Sequence, residues 1–517
     1  MRRCRNIFFA AGVIVLAVIG ASAVHHFQLK AAVNRYLAEL KAQGEPLELA
    51  QVLPPPVPPE HNAAPQFLQS WTLLATNDAV LVNNPPSAMR GLAPGKALVG
   101  WAQPDVRCED ATNSWSQIQT ALHPSAGALA QWEQIPDAAQ FDFHLQYTQR
   151  FQMLLPHLAR EKKAALRLSQ SAVVNLHDGA VEAAGNQIRV IFALVNGTAD
   201  ERIAISQLVR LAIAQIGFAA TWELLQAPHL NEAQLARLQA AAAAMNFVPA
   251  AANVLPVERE GAETMLAQWR SSRAELAKYF DLTQKARESL GTLEAEEPTI
   301  WGNLEQERKI FLWRYWWSYV DELRALRGYQ VLRGTLRQTQ AEGCFQNALV
   351  AQEAALAKLG VSGLRDEITA LFSGDTDFHS LFSESIPTMT QFIRKVLRAE
   401  SSRQMVVTAL ALKRFQLQHG QYPSQLAELT PDWLAAIPRD PVDGQPLRYR
   451  RNADGTFLLY SIGENGRDDG GNPALEPGVE ATSFFWENAH ALDWVWPQPA
   501  SAAEVEKYYA ELARKKH

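Results

Sequence analysis

The chain has 517 residues, of which 48% are hydrophobic and 20% charged, and a formal net charge of −6. That length divides into about three domain-sized parts, and so few charges exclude extended disorder over most of it. A slight acidity with no basic stripe offers nothing to a phosphate backbone, which excludes nucleic acid as a partner.

The first element is an apolar helix. In "MRRCRNIFFAAGVIVLAVIGASAV", Arg2, Arg3 and Arg5 precede an uncharged run from Ile7 to Val24, at about eighteen residues close to the minimum for a bilayer-spanning helix. The arginines stay on the cytoplasmic side, which sends the bulk of the chain outward as a single-pass protein. The rival reading of residues 1–24 is a signal segment cleaved after Ala23, because Ala21-Ser22-Ala23 has the small-x-small form. Residues 25–65 follow as a juxtamembrane helix, "FQLKAAVNRYLAELKAQG", and a spacer. In the spacer Pro54, Pro55, Pro56, Pro58 and Pro59 remove amide donors and favour extended backbone.

Residues 66–385 read as a helical body. "LLPHLAREKKAALRLSQSAVVNL" repeats apolar residues at three and four, and the stripe Ile203, Ile205, Leu208, Leu211, Ala212, Gln215 and Ile216 does the same. The connectors "HDGA" and "NGTADE" are turn-like, which predicts helical hairpins side by side. Asn231 is placed to cap the next helix, with Gln234 at the capping-box position. The hairpins resemble a tetratricopeptide stack loosely, without a clean period of about 34 residues. Further on, "IFLWRYWWSYV" carries Phe311, Trp313, Tyr315, Trp316, Trp317 and Tyr319. It reads either as an aromatic ligand box or as a central helix covered on several faces. Of the three cysteines, Cys108 and Cys344 either pair outside the cytoplasm or remain separate thiols.

A different grammar starts near residue 386 and runs to 482. A helical run with a polar patch from Arg398 to Gln404, which can interrupt it, ends at "HGQYP", where Gly420 suits a left-handed cap and Pro423 forbids continuation. The runs "LRYRR" and "TFLLYSI" flank Asp454-Gly455, a hairpin signal. After them comes the glycine-rich acidic stretch "YSIGENGRDDGG". Residues 483–517 form a tail with Trp486, Trp494 and Trp496 and a terminal helix. The tryptophans mark a contact surface or close off the body.

This order of parts in "ALALKRFQLQHGQYPSQLAEL", "IPRDPVDGQPLRYR" and "LLYSIGENGRDDGG", about Thr408 to Gly471, resembles the C-terminal domain of the major pseudopilin of type II secretion systems. The resemblance implies a calcium-binding loop after the last strand. Ile462 matches the residue whose carbonyl faces the ion, and Asn465 stands where the family has an aspartate ligand. Asp468 and Asp469 are the remaining nearby carboxylates. A glycine-rich turn with these oxygens suits calcium, which takes six to eight of them. The same glycines and Asx residues also build plain turns. The whole layout is similar to a group of bacterial membrane-anchored envelope proteins, which implies the inner membrane as its location and an envelope protein as its partner.

No Gly-x-Ser-x-Gly elbow, His-Glu-x-x-His, phosphate-cradling loop or Cys-x-x-Cys is present, and the twelve histidines are scattered. The sequence therefore predicts a mainly α chain with an N-terminal transmembrane helix, a helical-hairpin body and a small C-terminal α+β module. Its expected function is a non-enzymatic membrane-anchored envelope scaffold or assembly protein, linked to secretion or pilus-like machinery. The alternative is an extracytoplasmic enzyme whose site is assembled from distant residues of the helical body.

Overall fold

A computed structural model describes residues 2–74, 79–108, 111–289, 300–361, 381–383, 385–479 and 488–515. The chain is mainly helical, about 64%, with small sheets. Among the described residues, the helices of twelve residues or more are α1 (Arg2–Ala42), α2 (Pro156–His177), α3 (Val181–Gly197), α4 (Ala204–Leu225), α5 (Glu232–Ala243), α6 (Phe247–Ser271), α7 (Arg273–Ser289), α8 (Ile300–Leu312), α9 (Ser318–Glu342), α10 (Gln346–Lys358), α11 (Ser385–His419) and α12 (Ala502–Lys515). The strands are β1 (Arg90–Ala93), β2 (Lys96–Leu98), β3 (Val106–Arg107), β4 (Thr112–Asn113), β5 (Arg448–Arg451), β6 (Phe457–Ile462), β7 (Asp493–Val495) and β8 (Gln498–Pro499). Two compact units result. Unit 1 is Met1–Leu53, Ala252–Arg337 and Ala348–Ile393; unit 2 is Pro54–Ala251, Gln338–Asn347 and Arg394–His517.

In unit 2, α2, α3 and α4 pack on one another and α5 packs on α3. The turns fall at the expected connectors: Gly179 takes φ +74° after α2, and the Thr198 hydroxyl donates to Leu194 O at 2.8 Å. At Gly217 a Cβ would sit 2.7 Å from Phe192 Cε1, so only glycine lets α4 approach α3 this closely. Asn231 caps α5, accepting from Ala233 N and Gln234 N at 2.9 and 3.3 Å. The Gln234 amide does not close a capping box; it donates to Glu182 O at 2.8 Å instead.

The apolar stripe of α4 is only partly its buried face, with Leu211 buried and Ile203, Leu208, Ala212, Gln215 and Ile216 half-buried. Ile205 is 54% exposed, whereas Gln207, Arg210, Ile213, Ala214, Phe218 and Trp222 are buried. Arg210 can lie inside because Val195 O, Gln207 Oε1 and Asn246 Oδ1 accept its N–H groups at 2.6, 3.1 and 2.9 Å, so burial leaves none of these donors stranded. The helical reading of residues 66–385 is also corrected at β1–β4. β1 and β2 form an antiparallel pair and β8 adds to β2 in parallel. Gly95 takes φ +68° at that first turn.

Glu223, fully buried on α4, holds this region in place. Its Oε1 accepts from Met89 N at 2.8 Å and Gly100 N at 3.0 Å, and burial raises its pKa from the ordinary 4.5 to about 7. The folded chain therefore binds this proton more tightly than the unfolded one. Its stabilising contribution is complete below pH 4.5 and is lost as the pH rises through 7, a difference of about 3 kcal/mol. Glu223→Gln is expected to match the wild type in denaturant unfolding at pH 5 and to exceed it at pH 8.5. Equal stabilities at both pH values would contradict this.

The second half of unit 2 starts within α11. This helix runs unbroken from Ser385 to His419, so the polar patch does not interrupt it. Within the patch Glu400 and Arg403 pair one turn apart, and Gly420 follows in the left-handed conformation at φ +75°. β5 and β6 pair antiparallel, Arg448 opposite Tyr460 and Arg451 opposite Phe457, across the Asp454-Gly455 turn. β7, from the tryptophan-rich tail, adds a third strand with Ile462 opposite Asp493. Trp494 and Trp496 are buried; Trp486 lies outside the described residues. Val505 of α12 packs on Leu92 and Leu98. Cys108 and Cys344 are separate free thiols.

In unit 1, α1 is one helix of 41 residues closed by a Schellman turn. Gly44 takes φ +77°, Gly44 N donates to Lys41 O, and Glu45 N donates to Leu40 O, both at 3.0 Å. His26 Nδ1 lies 3.0 Å from Tyr315 O, and Val33 and Leu40 are buried. The aromatic stretch contains a π-helical turn, Trp313–Trp317. Trp313 is buried and donates to Asp321 Oδ2 at 3.2 Å, while Phe311 and Tyr315 are exposed. Asp321 also accepts from Phe382 N and Ser383 N at 3.0 and 2.9 Å.

Among the described residues, two stretches are long and apolar enough to cross a membrane, Ala204–Leu225 and Glu232–Ser271. The first is mostly buried in the fold, and the second joins α5 to α6.

Candidate functional site

The acidic loop after β6 owes its shape to two buried aspartates and one arginine. Asp440 precedes Pro441 in "PRDPVDG" and is fully buried. Its carboxylate accepts from Val442 N at 3.0 Å, the Ser461 hydroxyl at 2.7 Å, Ile462 N at 2.9 Å and Arg448 Nη1 at 3.0 Å. Asp493, on β7 and also buried, accepts from Gly471 N and Asn472 N at 2.8 and 3.0 Å. Gly471 takes φ +80°, and a Cβ there would lie 2.8 Å from Leu458 Cδ2. The chain can turn onto Asp493 at this point only with glycine.

Arg448, at the start of β5, is the cation of this site. Its guanidinium meets Asp443 through Nη2 at 2.6 Å and Asp468 through Nε at 3.3 Å, in addition to Asp440. One planar fork thus serves three carboxylates. Burial pushes Asp443 up, but the Arg448 guanidinium outweighs it and holds that carboxyl below its usual range. Asp468 is held low too, where burial is outweighed by the Gly470 N–H, the Tyr460 hydroxyl and Arg448. Burial, with Asp468 beside it, raises Tyr460 to about 12.

The four residues expected to ligate calcium fall into separate contacts. Ile462 N donates to Asp440, and its carbonyl oxygen lies 3.2 Å from the Ser461 hydroxyl, whose proton goes to Asp440. Asn465 Nδ2 donates to Asp469 Oδ2 at 3.0 Å, and Asn465 Oδ1 accepts from Arg467 N at 2.9 Å. Asp468 gives Oδ1 to Tyr460 and Gly470 N, and Oδ2 to Arg448. Asn465 and Asp469 therefore meet, whereas Asp468 is committed elsewhere. The donor set does not fit one ion held by all four, because a cation at Asp468 Oδ2 would compete with a guanidinium already there. Among the described residues no group of three His, Cys, Asp or Glu side chains has metal-binding geometry.

Glu464, within the same loop, pairs with Arg394 and Arg398 of α11, each at 3.0 Å. A second buried polar cluster ties α2 to the connector after α3: His157 Nε2 lies 3.1 Å from Glu201 Oε1. Burial and the nearby Glu201 push Glu161 well above the usual carboxylate range. Two signals pointed to the residues that sequence patterning passed over. Asp440 stands in an Asx-Pro turn, and Asp493 is a lone charge between Leu492 and Trp494 in an apolar run.

Comparison with family models, with curated proteins and with solved structures found no match for this chain.

Proposed function

We propose that this chain is a non-enzymatic, membrane-anchored scaffold of the bacterial envelope. It crosses the inner membrane once through residues 7–24, with the bulk of the chain outside the cytoplasm. There it presents its loosely tetratricopeptide-like hairpins and pseudopilin-like C-terminal module to an envelope protein of a secretion or pilus-like machinery. The acidic loop is then a structural element organised by Arg448, and calcium is not needed to hold it.

The observation that carries this reading is the continuity of α1. Forty-one helical residues extend about 60 Å, twice the roughly 30 Å hydrocarbon core of a bilayer. The first half is apolar behind three arginines, and in the second half Val33 and Leu40 are buried. A helix that runs without a break from the apolar segment into unit 1 suits a chain retained in the membrane. The small-x-small tripeptide at Ala21–Ala23 lies inside this helix, which supports retention of the anchor over its cleavage.

The test is fractionation of the expressed chain followed by intact-mass measurement. The expected result is a chain that stays in the membrane pellet through alkaline and high-salt washes and retains residues 1–23. A soluble chain beginning at Val24 would contradict the proposal.

A further inference from the structure

The apolar row on α4 is only partly covered, with Leu208, Ala212 and Ile216 half-buried, and apolar surface left in water costs free energy. Leu208, Ala212, Ile216 and Ala219 form one wall of a groove in unit 2, facing Leu166 of α2 and Ala399 of α11. Leu166 remains 42% exposed. From Leu208 to Ala219 the wall runs about 16 Å along the helix axis, long enough for an acyl chain of medium length.

The polar groups of the groove are uneven in sign. Lys162, Lys395 and Arg398 are part of its lining, and among the described residues no carboxylate joins them. Arg398 is paired with Glu464, whereas Lys162 and Lys395 are exposed and make no ion pair among the described residues. Independently, Gln170 lines the groove at 9% exposure, spends its Nε2 on Leu81 O at 3.4 Å, and has a buried Oε1 that accepts no hydrogen bond. Gln215 turns its Nε2 to the Ser402 hydroxyl at 3.2 Å, and its Oε1 is likewise buried without a donor. Each is a buried acceptor without a donor from the chain, which a bound group that brings a hydroxyl would satisfy.

We infer that this groove binds a single-chain anionic lipid, with its acyl chain along α4, its anionic head at Lys162 and Lys395, and a hydroxyl donated to Gln170. A lysophospholipid with an anionic head meets all three demands. A fatty-acid carboxylate meets the first two and lacks the donor.

The experiment uses the full chain in phosphatidylcholine nanodiscs supplied with lysophosphatidylglycerol, lysophosphatidylcholine or oleate, with retained molecules counted by native mass spectrometry. Wild type is expected to retain one lysophosphatidylglycerol and to discriminate against zwitterionic lysophosphatidylcholine. Ala212→Trp, which fills the groove, abolishes retention. Lys162→Glu/Lys395→Glu, two changes at exposed positions that leave the fold intact, weakens it at least tenfold. Gln170→Leu removes the preference for lysophosphatidylglycerol over oleate. Equal retention of the zwitterionic and anionic lipids, or retention undiminished in the lysine double variant, overturns the inference.

Discussion

Glu45→Ala is expected to destabilise unit 1 by about 3–5 kcal/mol, the usual result of stranding buried charge. The Schellman turn that ends α1 delivers this carboxylate, 2% exposed, to a cluster of guanidiniums. Arg333 pairs with its Oε2, Arg337 reaches Oε1 at 2.6 Å, and Arg259 lies 3.9 Å from Oε2. Gln330 adds an N–H at 3.3 Å. Arg259 is then left with Glu263, 3.4 Å away, which burial already raises to about 7, and the mostly buried Arg333 loses its Glu45 counter-charge. Denaturant unfolding followed by tryptophan fluorescence should show an early transition in Glu45→Ala. Replacing one stranded cation as well, in Glu45→Ala/Arg333→Met, should recover part of the loss. An unshifted transition in the single variant would show that the cluster is solvated and contributes little.

Asp440→Ala is expected to cost unit 2 at least about 3 kcal/mol, because each buried donor left without an acceptor costs about 1–3 kcal/mol. Val442 N and Ile462 N lose their acceptor, the Ser461 hydroxyl is left with only the Ile462 carbonyl at 3.2 Å, and Arg448 keeps only Asp443 and Asp468. Arg448→Met should also destabilise strongly, since it leaves three aspartates facing one another. If Arg448 is the cation of the loop, thermal unfolding of the full wild-type chain should have the same midpoint in calcium, magnesium and chelator. Linkage raises the midpoint only for a ligand that binds the folded form. A calcium-specific rise, lost in Asp468→Ala and Asp469→Ala, would restore the ion as the organiser of this loop.

Local patterns made several elements legible. The apolar run behind three arginines marks α1, the "HDGA" and "NGTADE" turns delimit α3, Asn231 caps α5, and Asp454-Gly455 turns the β5–β6 hairpin. What escaped depends on partners distant in sequence. The inner face of α4 looks polar because Gln207 and Arg210 are satisfied by α3 and by Asn246, so its apolar stripe reads as core when it lines a groove. β1 to β4 are two to four residues long, too short for a period-2 signal, and β8 joins β2 across about 400 residues of chain. Arg448 reads as one of several strand arginines until the fold brings Asp440, Asp443 and Asp468 around it. The compact units, each assembled from three separate stretches, likewise leave no linear mark.

The most direct test of the anchoring account places single cysteines in a Cys4→Ala/Cys108→Ala/Cys344→Ala background, at Arg3 or at Asp454, and applies a membrane-impermeant maleimide to intact spheroplasts. Asp454→Cys is expected to be labelled and Arg3→Cys to be protected until the membrane is opened. Protection of Asp454→Cys in intact spheroplasts, or labelling of Arg3→Cys, would contradict the account.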